Sequence, residues 1–239
     1  MRHRLDRIVG EWVRWSRDAK DVGVQTRAVF GRMQGEGATA RDAAAQVHGV
    51  NGRSGGNGSL MRTGPVALRY LGDLAGAARA ARAISDLTHY DPRAGDASVI
   101  WSVAIAHAIE TGELDLERGI AHVEGAEWQQ FWRDQAAEGE GRMPWELTAN
   151  NGWVVGAFQA AWSAIAHGGT LAETLELAVR CGGDTDTVAA IAGSLAGAVY
   201  GAAALPAELT AHLHGWAADG EVGDGALLAE LTNRATRMR

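Results

Sequence analysis

Cys181-Gly182-Gly183-Asp184-Thr185-Asp186-Thr187 runs without a break into Val188-Ala189-Ala190-Ile191-Ala192-Gly193, so two carboxylates and a hydroxyl sit where an apolar helix begins. The paired glycines let the backbone bend so that the oxygens of Asp184, Asp186 and Thr187 can converge. Carboxylate and hydroxyl donors suit Mg²⁺ or another hard cation better than zinc. The competing reading is helix capping, because Asp and Thr are favoured N-caps and acids are favoured in a first turn. The helix that follows, Val188 to Leu205, is uncharged, with Gly193, Gly197 and Gly201 spaced four apart. A membrane span needs at least about 17 predominantly apolar residues, and this run is short and dominated by Ala and Gly. It reads instead as a central buried helix that packs closely against its neighbours and holds the two aspartates in place.

Two earlier stretches carry chemistry of their own. Asn51-Gly52-Arg53-Ser54-Gly55-Gly56-Asn57-Gly58-Ser59-Leu60-Met61-Arg62, followed by Thr63-Gly64-Pro65, is a loop whose glycines let backbone N–H groups approach an anion. Pro65 fits the first position of a helix whose dipole would help. No Gly-Lys-Ser/Thr follows, so it is not a P-loop. Ser85-Asp86-Leu87-Thr88-His89-Tyr90-Asp91-Pro92-Arg93 places a His and an Asp two residues apart. His89 can bond a sugar hydroxyl while Asp91 orients its ring, although Asp-Pro also reads as an ordinary turn.

Between these segments, apolar residues recur at three- and four-residue steps, which predicts an all-α chain. Helices are expected over Leu5–Lys20, Val24–Phe30, Ala40–Val47, Pro65–Leu71, Gly72–Ser85, Ala97–Glu110, Trp153–Ala166 and Leu171–Arg180. Gly72-Asp73 ends one helix and caps the next, Gly112 is a natural stop, and Thr170-x-x-Glu173 is a candidate capping box. Trp128, Phe131, Trp132 and Trp145 read as core or lid packing. His212-x-His214 has no Cys or acidic ligand beside it and is not read as a zinc site.

At 239 residues the chain is expected to form a single domain. A net charge of −7 without a basic block argues against nucleic acid as the main partner. One cysteine excludes an intrachain disulfide, and the charged start Met1-Arg2-His3-Arg4 lacks the apolar core of a signal peptide. A cytoplasmic protein with no membrane partner is the expectation. Oligomeric state is not legible.

Taken in order, Gly56 to Arg62, Thr88 to Asp91 and Gly183 to Ala198 resemble the ADP-ribosylglycohydrolase family, which includes the dinitrogenase-reductase-activating glycohydrolases. The family pattern is a Gly-Asn-Gly-Ser/Ala-x-Met-Arg loop, then Thr-His-x-Asp/His, then Gly-x-Asp-Thr/Ala-Asp-Thr leading into a helix of small residues. Asn150-Asn151-Gly152-Trp153 also looks like the family segment that brings an aromatic residue near the substrate. The resemblance implies a compact multi-helix orthogonal bundle that hydrolyses the glycosidic bond between ADP-ribose and a protein side chain or another conjugate. It implies Mg²⁺, or Mn²⁺, on Asp184, Asp186 and Thr187. Gly58 and Ser59 would then donate backbone and hydroxyl groups to the diphosphate, with Asn57 shaping the loop and Met61 beside it. His89 would contact the distal ribose, and Trp153 would stack on the ligand.

In one respect the chain departs from the family pattern. The family's Gly-Asp-x-x-Gly helix and Thr-Asp-Asp-Ser/Thr motif, which supply about half of a two-metal site, have no counterpart here. The acids before Asn51 are Asp6, Glu11, Asp18, Asp21, Glu36 and Asp42, no two of them adjacent. We therefore expect an N-terminally shortened chain whose general base belongs to the missing segment, and an exposed patch around Trp12 and the Val188–Leu205 helix. A degenerate family member that binds ADP-ribose without turnover is the second reading. An aspartyl-nucleophile phosphatase is the third, since Asp184-x-Asp186-x-Val188 superficially fits, but that chemistry needs the aspartates at the end of a buried strand.

Overall fold

A computed structural model describes residues 2–33, 39–52, 54–216 and 222–237; Glu36, Arg53 and the side chain of Trp216 lie outside what it describes. The order is α1 (Arg2–Asp18), α2 (Val24–Met33), α3 (Ala40–Asn51) and α4 (Gly58–Thr63), then α5 (Leu74–Ser85), α6 (Pro92–Thr111), α7 (Leu116–Ile120) and α8 (Ala126–Glu140). There follow α9 (Val154–His167), α10 (Leu171–Arg180), α11 (Thr185–Tyr200) and α12 (Ala207–Thr210), a hairpin of β1 (His214–Trp216) and β2 (Val222–Asp224), and α13 (Gly225–Arg237). The expected all-α architecture is therefore present, with one short antiparallel strand pair added.

Three helices form the centre. α6 and α9 are buried on nearly every face, and α11 packs on both of them through Val188, Ile191, Ala192, Leu195 and Ala196. A helix that is apolar all round belongs in an interior. The abundant Ala, Gly and Ser of these helices allow close axial approach. Trp101 of α6 donates its indole N–H to the Ile191 carbonyl of α11 at 2.9 Å, which satisfies a buried polar group between two apolar surfaces. Phe158 of α9 receives Trp101 and Trp132 edge-on, at ring separations of 5.4 and 4.9 Å. Trp132 is thus core, as expected, whereas Trp128 and Trp145 are largely exposed.

Local chemistry explains the ends of these helices. Asp73 accepts from the Gly76 N–H, Gly112 closes α6 in the left-handed region at φ 76°, and Thr170 accepts from the Glu173 N–H. The Glu173 carboxylate reaches Gly169 rather than Thr170, so the capping box is displaced by one residue. Asp91-Pro92 is not a free turn. Asp91 is the N-cap of α6 and Pro92 its first residue, so that helix starts five residues earlier than the apolar pattern alone indicates.

Three expectations are corrected. Pro65 lies in a 3₁₀ turn, Gly64–Arg69, behind α4 rather than opening an α-helix. The helix expected over Val188–Leu205 is α11, which begins at Thr185 and is ended at Gly201 by a φ of 76°. Among the described residues no bare patch surrounds Trp12 or the apolar face of α11. Trp12 is half-buried and packs with Val13 over Val29, Phe30 and Val47, and α11 sits in the main core. Among the described residues no helix is long and apolar enough to cross a membrane.

Two glycines give stability predictions of opposite sign. A Cβ at Gly119 of α7 would lie 2.4 Å from the Ile100 carbonyl oxygen of α6, so Gly119→Ala should lower unfolding free energy by about 1–3 kcal/mol. At Gly197, inside α11, a Cβ meets nothing within 4 Å, so Gly197→Ala should raise it by about 0.5–1 kcal/mol. Urea titration of both variants checks the pair, and the same sign for both would contradict the packing described.

Candidate functional site

The glycine loop is pinned from two sides. Gly56 bridges antiparallel to Trp153, with Val154 N donating to Gly55 O at 2.8 Å and Asn57 N to Gly152 O at 3.2 Å. From α2, the Gln25 amide donates to both Ser54 O and Thr88 O at 2.8 Å, tying the loop to the His89 segment. α4 then starts immediately. Met61 N is the first in the helix to find a backbone acceptor, Asn57 O at 3.1 Å, so the N–H groups of Gly58, Ser59 and Leu60 have no acceptor among the described residues.

Asn57 joins this loop to the Asp184 turn. Its Nδ2 donates to Asn151 O at 2.8 Å and to Asp184 Oδ2 at 2.6 Å. Asp184 stands at the N-cap position of α11, yet its side chain makes no capping bond. Asn151 ties down the turn before the helix from another segment: its Oδ1 accepts from Asp184 N at 3.0 Å and its Nδ2 donates to Gly182 O at 2.7 Å. The two glycines allow this contact. Both have positive φ, and a Cβ at Gly183 would fall 2.5 Å from Asn151 Oδ1. Capping therefore does not account for the Asp184 carboxylate.

Asp186 lies on the exposed first turn of α11, and no hydrogen bond or ion pair among the described residues occupies it. Thr187, 8% exposed, donates its hydroxyl to Met61 Sδ at 3.7 Å, which leaves the oxygen lone pairs available. These three residues offer an all-oxygen donor set of the kind Mg²⁺ or Mn²⁺ accepts. The set is small. Among the described residues no group of three or more His, Cys, Asp and Glu side chains gathers for a metal, so water would complete most of any coordination shell.

His89 comes in under the loop. It is 3% exposed, and a Cβ on Gly58 or Gly56 would lie 3.1 or 3.3 Å from its Nε2, so a side chain at either position would press on the ring. Asp91 does not orient that ring. It caps α6 and pairs with Arg93, and the partner of His89 Nδ1 is Thr88 Oγ1 at 2.8 Å. Trp153, half-buried, brings its Nε1 beside Gly55 while Arg93 lies 5.8 Å from its ring. Ser59 is fully buried and its hydroxyl faces Ser98 Oγ at 3.5 Å, so the donor it presents at the helix start is its backbone N–H.

Of the sequence candidates, then, Asn57, Gly58, Met61, His89, Trp153, Asp184 and Thr187 share one contiguous network, with Asp186 on its rim. Asn151, Gln25 and Arg62 were missed as functional residues. Asn150-Asn151-Gly152 reads locally as a turn, and only the buried amide of Asn151 reveals its clamp. Arg62 is a buried guanidinium, its pKa pushed down to about 10 by desolvation. His212 and His214 are both exposed, His212 just before β1 and His214 in it, and belong to no metal-like group among the described residues. The turn before Asp184 follows helix α10 rather than a strand, which removes the geometry that the phosphatase reading requires.

Burial first and the Arg62 charge second push the His89 pKa well below its usual 6.5. The native state thus binds fewer protons here than the unfolded chain once pH falls below 6.5, and stability is lost in that direction. We expect His89→Gln to flatten the fall in unfolding free energy between about pH 7 and pH 5 by up to about 1.4 kcal/mol per pH unit. Parallel stability profiles for the variant and the parent would contradict the assigned burial.

A family model for ADP-ribosylglycohydrolase matches residues 1–238. No curated protein matches the chain. Among solved structures, an ADP-ribosylglycohydrolase-related protein complex is similar at 27% identity and a TM-score of 0.67, over 95% of this chain and 71% of that one. Together with the helical architecture and the three converging segments, the match over nearly the whole length shows that the chain belongs to the ADP-ribosylglycohydrolase family and is a hydrolase of that type.

Proposed function

We propose that the chain acts on ADP-ribose joined through C1 of its distal ribose to a protein side chain or a small conjugate, and that it does so with Mg²⁺, or Mn²⁺, in a cytoplasmic setting. The observation that carries this reading is the bond from Asn57 to Asp184, which places the anion-compatible glycine loop beside the candidate cation donors. A ligand bearing both a diphosphate and a polyhydroxyl sugar matches such a pair of neighbours.

In the reaction, water attacks C1, the glycosidic bond breaks, and the leaving group takes up a proton through a transition state of oxocarbenium character. Bound at Asp184, Asp186 and Thr187, a divalent cation would supply Lewis-acid polarisation and fixed orientation of the oxygens around it. The chain's own residues do the positioning. The free N–H groups of Gly58, Ser59 and Leu60 face the diphosphate, His89 lies beneath the loop toward the distal ribose, Met61 flanks Thr187, and Trp153 stacks on the ligand. Asn57 keeps the Asp184 carboxylate turned to the same side. We assign no general base among the described residues.

A second reading, ADP-ribose binding without turnover, is favoured by the small donor set, because no cluster of three or more metal-ligating acids, His or Cys is present among the described residues. One set of measurements separates the two. Asp184→Ala and Asp186→Ala should each weaken Mg²⁺ binding about tenfold or more by calorimetry, since each removes an anionic oxygen. Both should also abolish magnesium-dependent release of ADP-ribose from a panel of arginine-, serine- and nucleotide-linked conjugates. Binding of ADP-ribose by the parent with no release from any conjugate, magnesium included, would establish the binder instead. Unchanged metal affinity in both variants would remove these aspartates from the site.

A further inference from the structure

Behind the loop lies a polar chain that the reaction as proposed does not use. Trp12 of α1 covers the guanidinium of Arg62 at 4.5 Å. Arg62 donates through Nη1 to Gly58 O at 3.0 Å and through Nη2 to Thr88 Oγ1 at 2.5 Å, while its Nε has no partner. Thr88 is fully buried, and its Oγ1 lies 2.8 Å from His89 Nδ1. At the other end of the ring, Nε2 has no hydrogen-bond partner among the described residues and stands against Gly56 and Gly58.

The proton positions follow from the donor inventory. A guanidinium only donates, so Thr88 Oγ1 accepts from Arg62 and still has its own hydroxyl proton to place. Among the described residues the acceptor within reach is His89 Nδ1. The opposite arrangement, an Nδ1–H donating to Oγ1, would strand the hydroxyl proton of a fully buried side chain at a cost of about 1–3 kcal/mol. Nδ1 is therefore the accepting nitrogen, and the ring proton resides on Nε2.

We propose that Arg62 and Thr88 are positioning residues that hold His89 in its Nε2–H tautomer, so that the ring presents a hydrogen-bond donor to a ligand oxygen seated at the Gly56–Gly58 loop. This deepens the proposed function and rests on its substrate. The ligand group it selects is an acceptor oxygen, a ribose hydroxyl or a phosphate oxygen. A ligand whose only group at that point is a donor is disfavoured. The same arrangement denies His89 a role as general base through Nε2, because the basic lone pair faces inward to Thr88. Burial of the ring first, and the Arg62 charge second, oppose a second proton on it, which keeps the donor neutral.

The tautomer is read in the ligand-free protein by long-range ¹H–¹⁵N correlation of the imidazole nitrogens, with the His89 signals identified by their loss in His89→Gln. The parent should show an unprotonated Nδ1 and a protonated Nε2. Thr88→Ser, which keeps the hydroxyl, should preserve that pattern and the affinity for ADP-ribose. Thr88→Val, nearly isosteric but without a hydroxyl, should give a mixed or Nδ1–H population and weaken ADP-ribose binding by about tenfold. A protonated Nδ1 in the parent overturns the proposal, as does a Thr88→Val variant that folds with parental tautomer and affinity. If the parental tautomer is Nε2–H and ADP-ribose nonetheless fails to bind, the proposed substrate is wrong and the tautomer assignment stands.

Discussion

The Asp184 carboxylate makes no capping bond at the start of α11 and instead accepts from Asn57, and the site is arranged around that contact. A helix beginning with Asp-Thr-Asp-Thr ordinarily satisfies its own first N–H groups, and Asp184 would then be consumed as a cap. Here Asn151 reaches across 33 residues to take the Asp184 N–H and, with its other end, bonds the Gly182 carbonyl. The carboxylate itself meets Asn57 rather than capping the helix, a bond that spans 127 residues of chain. Every other part of the site follows from this division of labour. The positive-φ glycines make room for the amide, and the Gly56–Trp153 bridge brings Asn151 and Asn57 within reach of each other.

The structure also segregates charge. Carboxylates of the candidate cation site occupy the open side of the loop, and the Arg62 guanidinium is covered by the Trp12 ring. A buried guanidinium is costly unless it is bonded, and its bonds to Gly58 O and Thr88 Oγ1 are what offset that cost. α1 therefore contributes to the site without touching it. Its tryptophan lies over the arginine that braces the loop.

Periodicity and punctuation made most of the fold legible. The stops at Gly112 and the caps at Asp73 and Thr170 are local events, settled by residues within one turn of one another. What escaped was non-local. α4 opens at Gly58, a poor helix former, because Asn57 and the Trp153 bridge fix its start rather than propensity. The carboxylates, the glycine loop and His89 were visible as residue types in a suggestive order. Their contacts were not: sequence pattern assigned Asp91 to the His89 ring, whereas the adjacent Thr88 holds it, because Asp91 is occupied as the cap of α6. Asn151 was hidden for a similar reason, since an Asn-Asn-Gly turn and a buried clamp look alike until the partner segment is known.

All of these contacts converge on one claim, that a carboxylate not used in helix capping and a glycine loop braced by Arg62 form a single ligand site. A crystal structure of the protein with ADP-ribose and Mg²⁺ tests it most directly. The account predicts the diphosphate on the Gly58–Leu60 N–H groups, the distal ribose between His89 Nε2 and Asp184, and the Asn57–Asp184 and Asn151–Asp184 bonds intact. Ligand density elsewhere, with the Asp184 carboxylate folded back onto the first turn of α11, would contradict it.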